Sequence, residues 1–210
     1  MEFPPAVGGP PARNGLTGTR LSRFDSYPMI TVISGTNRIN NVTRRVAGMV
    51  MDHYSTTGVE AQLIDLCDLP RDLFVPESYG KGVPDSFQPF QEKMLKCNGL
   101  LTVIPEYNGS FPGVLKYFID LLKFPESLHD MPSAFIGLAA GKFGAVRAIE
   151  QLEMVFQYRE AHIYGKRCMF PAVHKLLTED DQITDDFVRG LFVAQLDGFA
   201  DFAYRLKPKG

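Results

Sequence analysis

The stretch SGTNRINNVT at residues 34–43 combines small hydroxyl and amide side chains with one arginine, between a short apolar run and a helical pattern. Backbone N–H groups at a helix start, and the positive end of the helix dipole, attract anions. Thr36, Asn41 and Thr43 can add hydrogen bonds, and Arg38 can add a charge. The stretch therefore predicts either a phosphate site or a plain N-cap loop with a solvated arginine, and spacing alone leaves both open.

Two later loops also follow apolar runs. PEYNGSFP at residues 105–112 joins turn formers, an aromatic ring and main-chain donors, so it suits either a planar ring system or a tight helix entry. AAGKFG at residues 139–144 allows close approach to a flat ligand, although glycine at such turns is usually geometric. The loop at residues 34–43 is neither a Walker A sequence nor a GxGxxG fingerprint, which leaves a mononucleotide phosphate open.

The elements that must position these loops alternate between short apolar runs and longer helical periods, as in βαβ units. We expect five strands, at residues 29–34, 59–66, 99–105, 133–139 and 168–173. We expect helices at residues 41–57, 85–98, 112–123, 143–160 and 184–204. The first, third and fourth strands are apolar nearly throughout, which is typical of central strands. The second alternates with polar residues and the fifth contains Pro171, so both are expected at edges.

These assignments predict a flavodoxin-like α/β fold, a three-layer sandwich with helices on both faces of a five-stranded parallel sheet in order 2-1-3-4-5. Ligands of such sheets bind beyond the carboxyl ends of the strands, where the strand order reverses. That point lies between strands 1 and 3. We therefore expect the loops at residues 34–43 and 105–112 to flank one crevice.

Composition limits the function classes. The formal net charge is −2 and no basic run is present, which disfavours a nucleic-acid partner. The longest apolar stretches fall far short of the about 20 residues that cross a bilayer. Cys67, Cys97 and Cys168 lie far apart, which predicts buried thiols in a reducing cytoplasm and neither disulfides nor a metal site. No hydrolytic machinery is recognisable, so we expect a cofactor to carry the chemistry.

The N-terminal segment at residues 1–28 is rich in Pro, Gly and Arg and lacks apolar periodicity. It has no apolar core of a secretory signal, and its prolines and glycines would break the helix of a transit peptide. We expect a flexible extension over residues 1–28, with Met29 as a candidate start of the functional chain. One domain is expected over residues 29–210.

Three motifs together resemble the NADPH-dependent FMN reductase family of flavodoxin-like oxidoreductases. They are ISGTNR before a helix, PEYNGSFPGVLKYFIDLL and GLAAGKFGAVRA, and the resemblance extends over residues 29–173. It implies a bound FMN that passes hydride from NADPH or NADH to a flavin, a quinone or a similar small acceptor. It implies no catalytic acid or base, because protein groups mainly position and tune the flavin.

The resemblance also implies two groups of cofactor-binding residues. Those for the phosphate are Thr36, Arg38, Asn41, Val42 and Thr43. Those for the flavin ring are Pro105, Glu106, Tyr107, Asn108 and Gly109, with Gly141 on the other side of the ring. The chain departs from the family pattern at Asn41, commonly serine, and at Thr43, commonly asparagine, and both still offer hydrogen-bonding groups.

Members of this family are typically homodimers or homotetramers, and the loop at residues 71–84 is expected to meet a neighbouring subunit. Two alternatives stay open. One is a non-enzymatic electron carrier of flavodoxin type, although such carriers tend to be acidic and this chain is nearly neutral. The other is a flavin-free binding or regulatory module, since a fold does not fix a function.

Overall fold

The computed structural model describes residues 28–79 and 82–206, and a parallel sheet lies at their centre. Its strands are β1 Ile30–Ser34, β2 Ala61–Asp65, β3 Gly99–Pro105, β4 Pro132–Leu138, β5 His162–Ile163 and β6 Cys168–Phe170. They follow the order β2-β1-β3-β4-β5, with β6 also paired to β4. Every pairing is parallel. The expected order 2-1-3-4-5 is therefore confirmed.

The last position of the sheet differs from the single strand expected at residues 168–173. Two short strands share it: β5 pairs with the start of β4, and β6 pairs with the end of β4. The described part of the chain thus has six strands where five were expected. β6 ends before Pro171 because proline has no N–H group to donate to the ladder.

Helices connect the strands and cover both faces of the sheet. They are α1 Val42–Thr57, α2 Gln88–Lys96, α3 Gly113–Leu121, α4 Val146–Tyr158, the short α5 Val173–Leu176 and α6 Asp186–Leu206. All five expected helices are present, with ends within three residues of the expected ones. The sequence did not predict α5, nor the 3-10 turns that shape the segment after β2. No helix in the described ranges is long and apolar enough to cross a membrane.

Two apolar clusters fix the sheet between its helices. On one face, Ile104, Phe118 and Phe135 belong to a buried cluster that includes side chains of α2, α3 and α4. On the other face, Val32 and Tyr54 belong to a second buried cluster with α1 and α6. Full burial of one such side chain stabilises a fold by about 1.5–3 kcal/mol. The buried sheet therefore holds the ends of its strands, and the loops that follow them, in fixed positions.

The carboxyl ends of β1, β3 and β4 lie next to one another. Ser34 is in register with Val103, and Pro105 is in register with Leu138. The three polar loops singled out from the sequence begin directly after these ends. The strand order alone therefore places the three loops side by side at the carboxyl ends of the strands, and their contacts decide whether they form one site.

Candidate functional site

The first loop, residues 34–41, is pressed against β3 where it leaves β1. The backbone N–H of Gly35 donates to the carbonyl oxygen of Val103 at 2.9 Å. A Cβ atom added to Gly35 would lie 2.7 Å from that same oxygen, which is closer than real Cβ contacts. Glycine is therefore required here by the close approach of two backbones.

The loop leads directly into the start of α1, and Asn41 is the N-cap of this helix. Its Oδ1 accepts from the backbone N–H of Arg44 at 2.7 Å, and its Nδ2 donates to the carbonyl oxygen of Arg38. The N–H groups of Val42 and Thr43, in the first turn, have no intrahelical acceptor. The positive end of the helix dipole therefore faces the first loop with free donors, the usual arrangement for binding an anion.

Thr36 and Arg38 join the first loop to Tyr107 of the second loop. The hydroxyl oxygens of Thr36 and Tyr107 share a hydrogen bond at 2.8 Å, and Thr36 is fully buried. The Arg38 guanidinium carbon lies 3.8 Å from the centroid of the Tyr107 ring, as in a cation–π contact. The structure therefore brings the two loops that flank the reversal point into direct contact.

The second loop folds into a tight hairpin turn. Tyr107 and Ser110 exchange two backbone hydrogen bonds, of 2.8 and 3.0 Å. Between them, Asn108 and Gly109 both have left-handed backbone angles, with φ of 52° and 77°. An Asn-Gly pair with two positive φ values is the favoured sequence of a type I′ turn. The order of residues in the motif thus has a local physical cause.

Glu106 precedes this turn and connects it to β4 and α4. Its backbone N–H donates to the carbonyl oxygen of Leu138 at 3.1 Å. Its side chain is 9% exposed and pairs with the guanidinium of Arg147, which is 53% exposed. The Nε of Arg147 lies 3.0 Å from the carboxylate. A nearly buried carboxylate needs such a partner, because an unpaired buried charge is strongly unfavourable.

Gly141 lies in the third loop, after β4. Its carbonyl oxygen accepts from the N–H of Ala172 at 2.8 Å, which ties this loop to the end of β6. A Cβ atom on Gly141, or on Gly109 of the hairpin, would meet no described atom within 4 Å. Both loops therefore border open space. No described contact joins Gly141 directly to Tyr107 or Arg38.

Cys67, expected from the sequence only as a buried thiol, is half-buried and lies beside the first loop. Its Sγ lies 3.3 Å from the carbonyl oxygen of Arg38 and 3.6 Å from that of Thr36. Burial of the thiol, followed by the nearby carboxylate of Asp65, raises the pKa of Cys67. The thiol is therefore neutral near pH 7 and can donate to these carbonyls. The only signal in the sequence was its place just after strand 2, the neighbour of strand 1.

The donors of this site suit one small anionic ligand with a flat part. Free N–H groups, buried hydroxyls and Arg38 can hold a phosphate, while open space beside Gly109 and Gly141 can admit a planar ring. Within the described ranges, no group of three His, Cys, Asp or Glu side chains could hold a metal ion. The residues present therefore fit a flavin mononucleotide.

The model of the NADPH-dependent FMN reductase family matches residues 28–175. The chain belongs to this family. The NAD(P)H-dependent FMN reductase PA1204 of Pseudomonas aeruginosa is 29% identical, over 71% of this chain and 82% of that protein. A quinone reductase of Pseudomonas putida is 27% identical, over 82% of this chain and 93% of its own length. These matches confirm the expected family.

Solved structures agree on the fold of this FMN reductase family member. The flavoenzyme FerB, an NAD(P)H:(acceptor) oxidoreductase of Paracoccus denitrificans, superposes with a TM-score of 0.70 at 20% identity. The match covers 85% of this chain and 98% of FerB. At this identity the likeness supports the fold alone, and the assignments of single residues stay predictions.

Proposed function

We propose that this FMN reductase family member holds FMN at the crevice between β1 and β3 and transfers hydride from NADPH or NADH to a flavin, a quinone or a similar small acceptor. The family match and the names of the relatives support this function. The contact of Tyr107 with Thr36 and Arg38 is the observation that carries it, because it joins an anion-binding loop to the hairpin that borders open space. FMN, when bound, supplies the group that accepts and passes on hydride.

At the phosphate end, the first turn of α1 and the first loop both provide groups that bind the phosphate. The N–H groups of Val42 and Thr43 donate to the phosphate, together with the hydroxyls of Thr36 and Thr43. Arg38 adds the positive charge. The Asn41 side chain already contacts Arg44 and Arg38, so it shapes the helix start. Its departure from the family serine therefore leaves the phosphate donors in place.

At the ring end, the hairpin offers backbone donors. The N–H groups of Glu106 and Tyr107 already donate to Leu138 and Ser110. Those of Asn108 and Gly109 have no acceptor in the described part of the chain. They would therefore be available to donate to a bound flavin ring and to favour negative charge on it. Pro105 ends β3 and directs the hairpin toward the crevice. Gly141, on the other side of the proposed ring site, has no side chain that would occupy it.

Arg38→Ala tests the phosphate end. The FMN dissociation constant should rise about tenfold or more, since hydrogen bonds to charged groups contribute about 1.5–3 kcal/mol. Riboflavin has the same ring without the phosphate, so its affinity should change little. Titration of both ligands into apoprotein, followed by flavin fluorescence, measures the difference. Unchanged FMN affinity in the variant would contradict the phosphate site.

Anaerobic mixing separates an enzyme from an electron carrier. The FMN-loaded protein, mixed with NADPH or NADH without oxygen, should lose its visible flavin absorbance as the ring is reduced. Reoxidation on addition of a quinone would then show transfer to an acceptor. Protein that binds FMN but keeps its absorbance with both nucleotides would favour the carrier of flavodoxin type.

We also propose a homodimer or homotetramer, with the segment after β2 at a contact between subunits. Phe74 and Tyr79 in this segment are 50% and 60% exposed, and the Phe74 ring stacks on Tyr117 at 5.0 Å. Exposed apolar side chains grouped in one segment favour an interface. Residues 80 and 81 of the expected loop lie outside the described ranges. Light scattering that finds a fully active monomer would contradict this proposal.

We place the protein in the reducing cytoplasm. All three cysteines are free, and Cys97 and Cys168 are buried. Burial raises the pKa of Cys97 to about 11 and that of Cys168 to about 12, so both thiols are unreactive near neutral pH. Unpaired thiols favour a reducing compartment. Fractionation of cells that express the chain, followed by immunodetection, tests the location.

A further inference from the structure

Gln151 of α4 contacts the hairpin turn with both ends of its amide group. Its Nε2 donates to the carbonyl oxygen of Gly109 at 2.9 Å, and its Oε1 accepts from the Ser110 hydroxyl at 2.7 Å. A carbonyl oxygen can only accept, so this arrangement also fixes which end of the amide is which. One side chain from a packed helix thus holds two neighbouring residues of the turn.

The hairpin needs such support because its own interactions are few. A two-residue turn closed by two backbone hydrogen bonds is at best marginally stable in water. Asn108 is exposed and has a positive φ, a conformation that a non-glycine residue adopts at a cost. Gln151 ties this turn to α4, whose apolar side packs in the core with Ile149 and Phe156.

We propose that Gln151 is a positioning residue for the flavin ring: it holds the turn so that the N–H groups of Asn108 and Gly109 stay aimed at the crevice. This inference rests on the proposed function. Arg147, one helical turn earlier, bonds to Glu106 at the other end of the same motif. The face of α4 that carries Arg147 and Gln151 therefore secures the ring-binding segment at two points.

Gln151→Glu is the sharpest test because it keeps the size of the side chain and replaces its donor by an acceptor. The new carboxylate would face the carbonyl oxygen of Gly109, and the turn would have to move. Gln151→Met removes both polar contacts with little change of volume. Gln157→Glu is the matched control, since Gln157 is exposed on the same helix. All four proteins are compared as the full chain.

Affinity for both FMN and riboflavin is the first measurement. Gln151→Glu should weaken the binding of both ligands about tenfold, because a hydrogen bond is replaced by a repulsive contact at the ring end. The Gln157→Glu control should stay within about twofold, as is usual for surface substitutions. Arg38→Ala should weaken the binding of FMN but not that of riboflavin. Comparison of the two ligands therefore distinguishes the phosphate end of the site from the ring end.

The spectrum of the bound flavin is the second measurement. Visible absorption and circular dichroism at saturating FMN should shift in Gln151→Glu and Gln151→Met but not in Gln157→Glu. If Gln151 only stabilised the fold, its substitution would lower the unfolding temperature and leave the flavin spectrum unchanged. If neither variant folds, Ser110→Ala removes one of the two contacts more gently, and FMN should bind about threefold more weakly.

The possible failures are distinct. If both Gln151 variants bind FMN and riboflavin as the native chain does, with the native flavin spectrum, the inference is overturned and the FMN site stands. If Ser110→Ala, used in their place, shows native affinity and spectrum, the inference is likewise overturned. A native chain that binds no FMN at all would overturn the proposed function and this inference together.

Discussion

The first loop and the hairpin meet at Tyr107, yet different forces hold them. The first loop is fixed by backbone packing, since Gly35 lies against the carbonyl of Val103 and the loop runs into a capped helix. The hairpin is fixed by its own turn geometry and by side chains of α4. A larger side chain should therefore disrupt the first loop. In the hairpin, a residue that disfavours a positive φ, or the loss of a hydrogen bond, should have the greater effect.

Gly35→Ala should have the largest effect, because it forces two packed backbones apart. Its Cβ would lie 2.7 Å from the Val103 oxygen and 3.3 Å from a Leu115 methyl. Neither backbone can yield easily, so we expect a loss of about 1–3 kcal/mol in the free energy of unfolding. FMN affinity should fall as well, because the clash displaces the phosphate donors. Chemical denaturation and FMN titration measure the two effects.

Gly48→Ala is the matched control for this substitution. Gly48 lies within α1, and a Cβ there would meet no described atom within 4 Å. Alanine stabilises a helix interior by about 0.8–1.0 kcal/mol relative to glycine. The two alanines should therefore change stability in opposite directions. Equal effects would show that close packing does not distinguish the first loop.

Gly109→Ala should have the next largest effect, through backbone conformation alone. No described atom would contact the added Cβ, but φ is 77° at this position. A left-handed conformation costs an L-residue about 1–2 kcal/mol. FMN should therefore bind about tenfold more weakly, while Gly109→Asn should bind better than the alanine variant because asparagine tolerates this conformation. An alanine variant with native affinity would mean that the hairpin is free to move.

The sequence was informative where one residue type has one geometric meaning. The strand order followed from apolar runs and edge residues, and the Asn-Gly pair signalled a turn that the structure shows to be a hairpin. Contacts between distant side chains were out of reach, because Gln151 and Cys67 lie on elements that meet the loops only in three dimensions. The divided edge position of β5 and β6 was missed because His162–Ile163 has only two residues.

Tyr107→Phe should have a smaller effect, because it breaks the link between the two loops and leaves both in place. The ring and its contact with Arg38 stay, while the hydroxyl that bonds to Thr36 is lost. Loss of one such bond should weaken FMN binding by about 0.5–1.5 kcal/mol. Thr36→Val should weaken FMN binding more, because it also removes a hydroxyl proposed to donate to the phosphate, and the double variant should be no worse than Thr36→Val alone. Additive losses would mean that the two hydroxyls act separately.

Cys67→Ala should have the smallest effect and tests the weakest support of the first loop. Contacts of an S–H group with carbonyl oxygen are worth about 0.5–1 kcal/mol at most, so FMN should bind less than about fivefold more weakly. The raised pKa keeps the thiol neutral through neutral pH, and its hydrogen bonds are lost only as the pH rises through that pKa. The affinity ratio of native to Cys67→Ala protein should therefore be constant near pH 7. It should fall in alkaline solution, where a thiolate would face the carbonyl oxygens of Thr36 and Arg38, and a ratio that changes already near pH 7 would contradict a neutral donor.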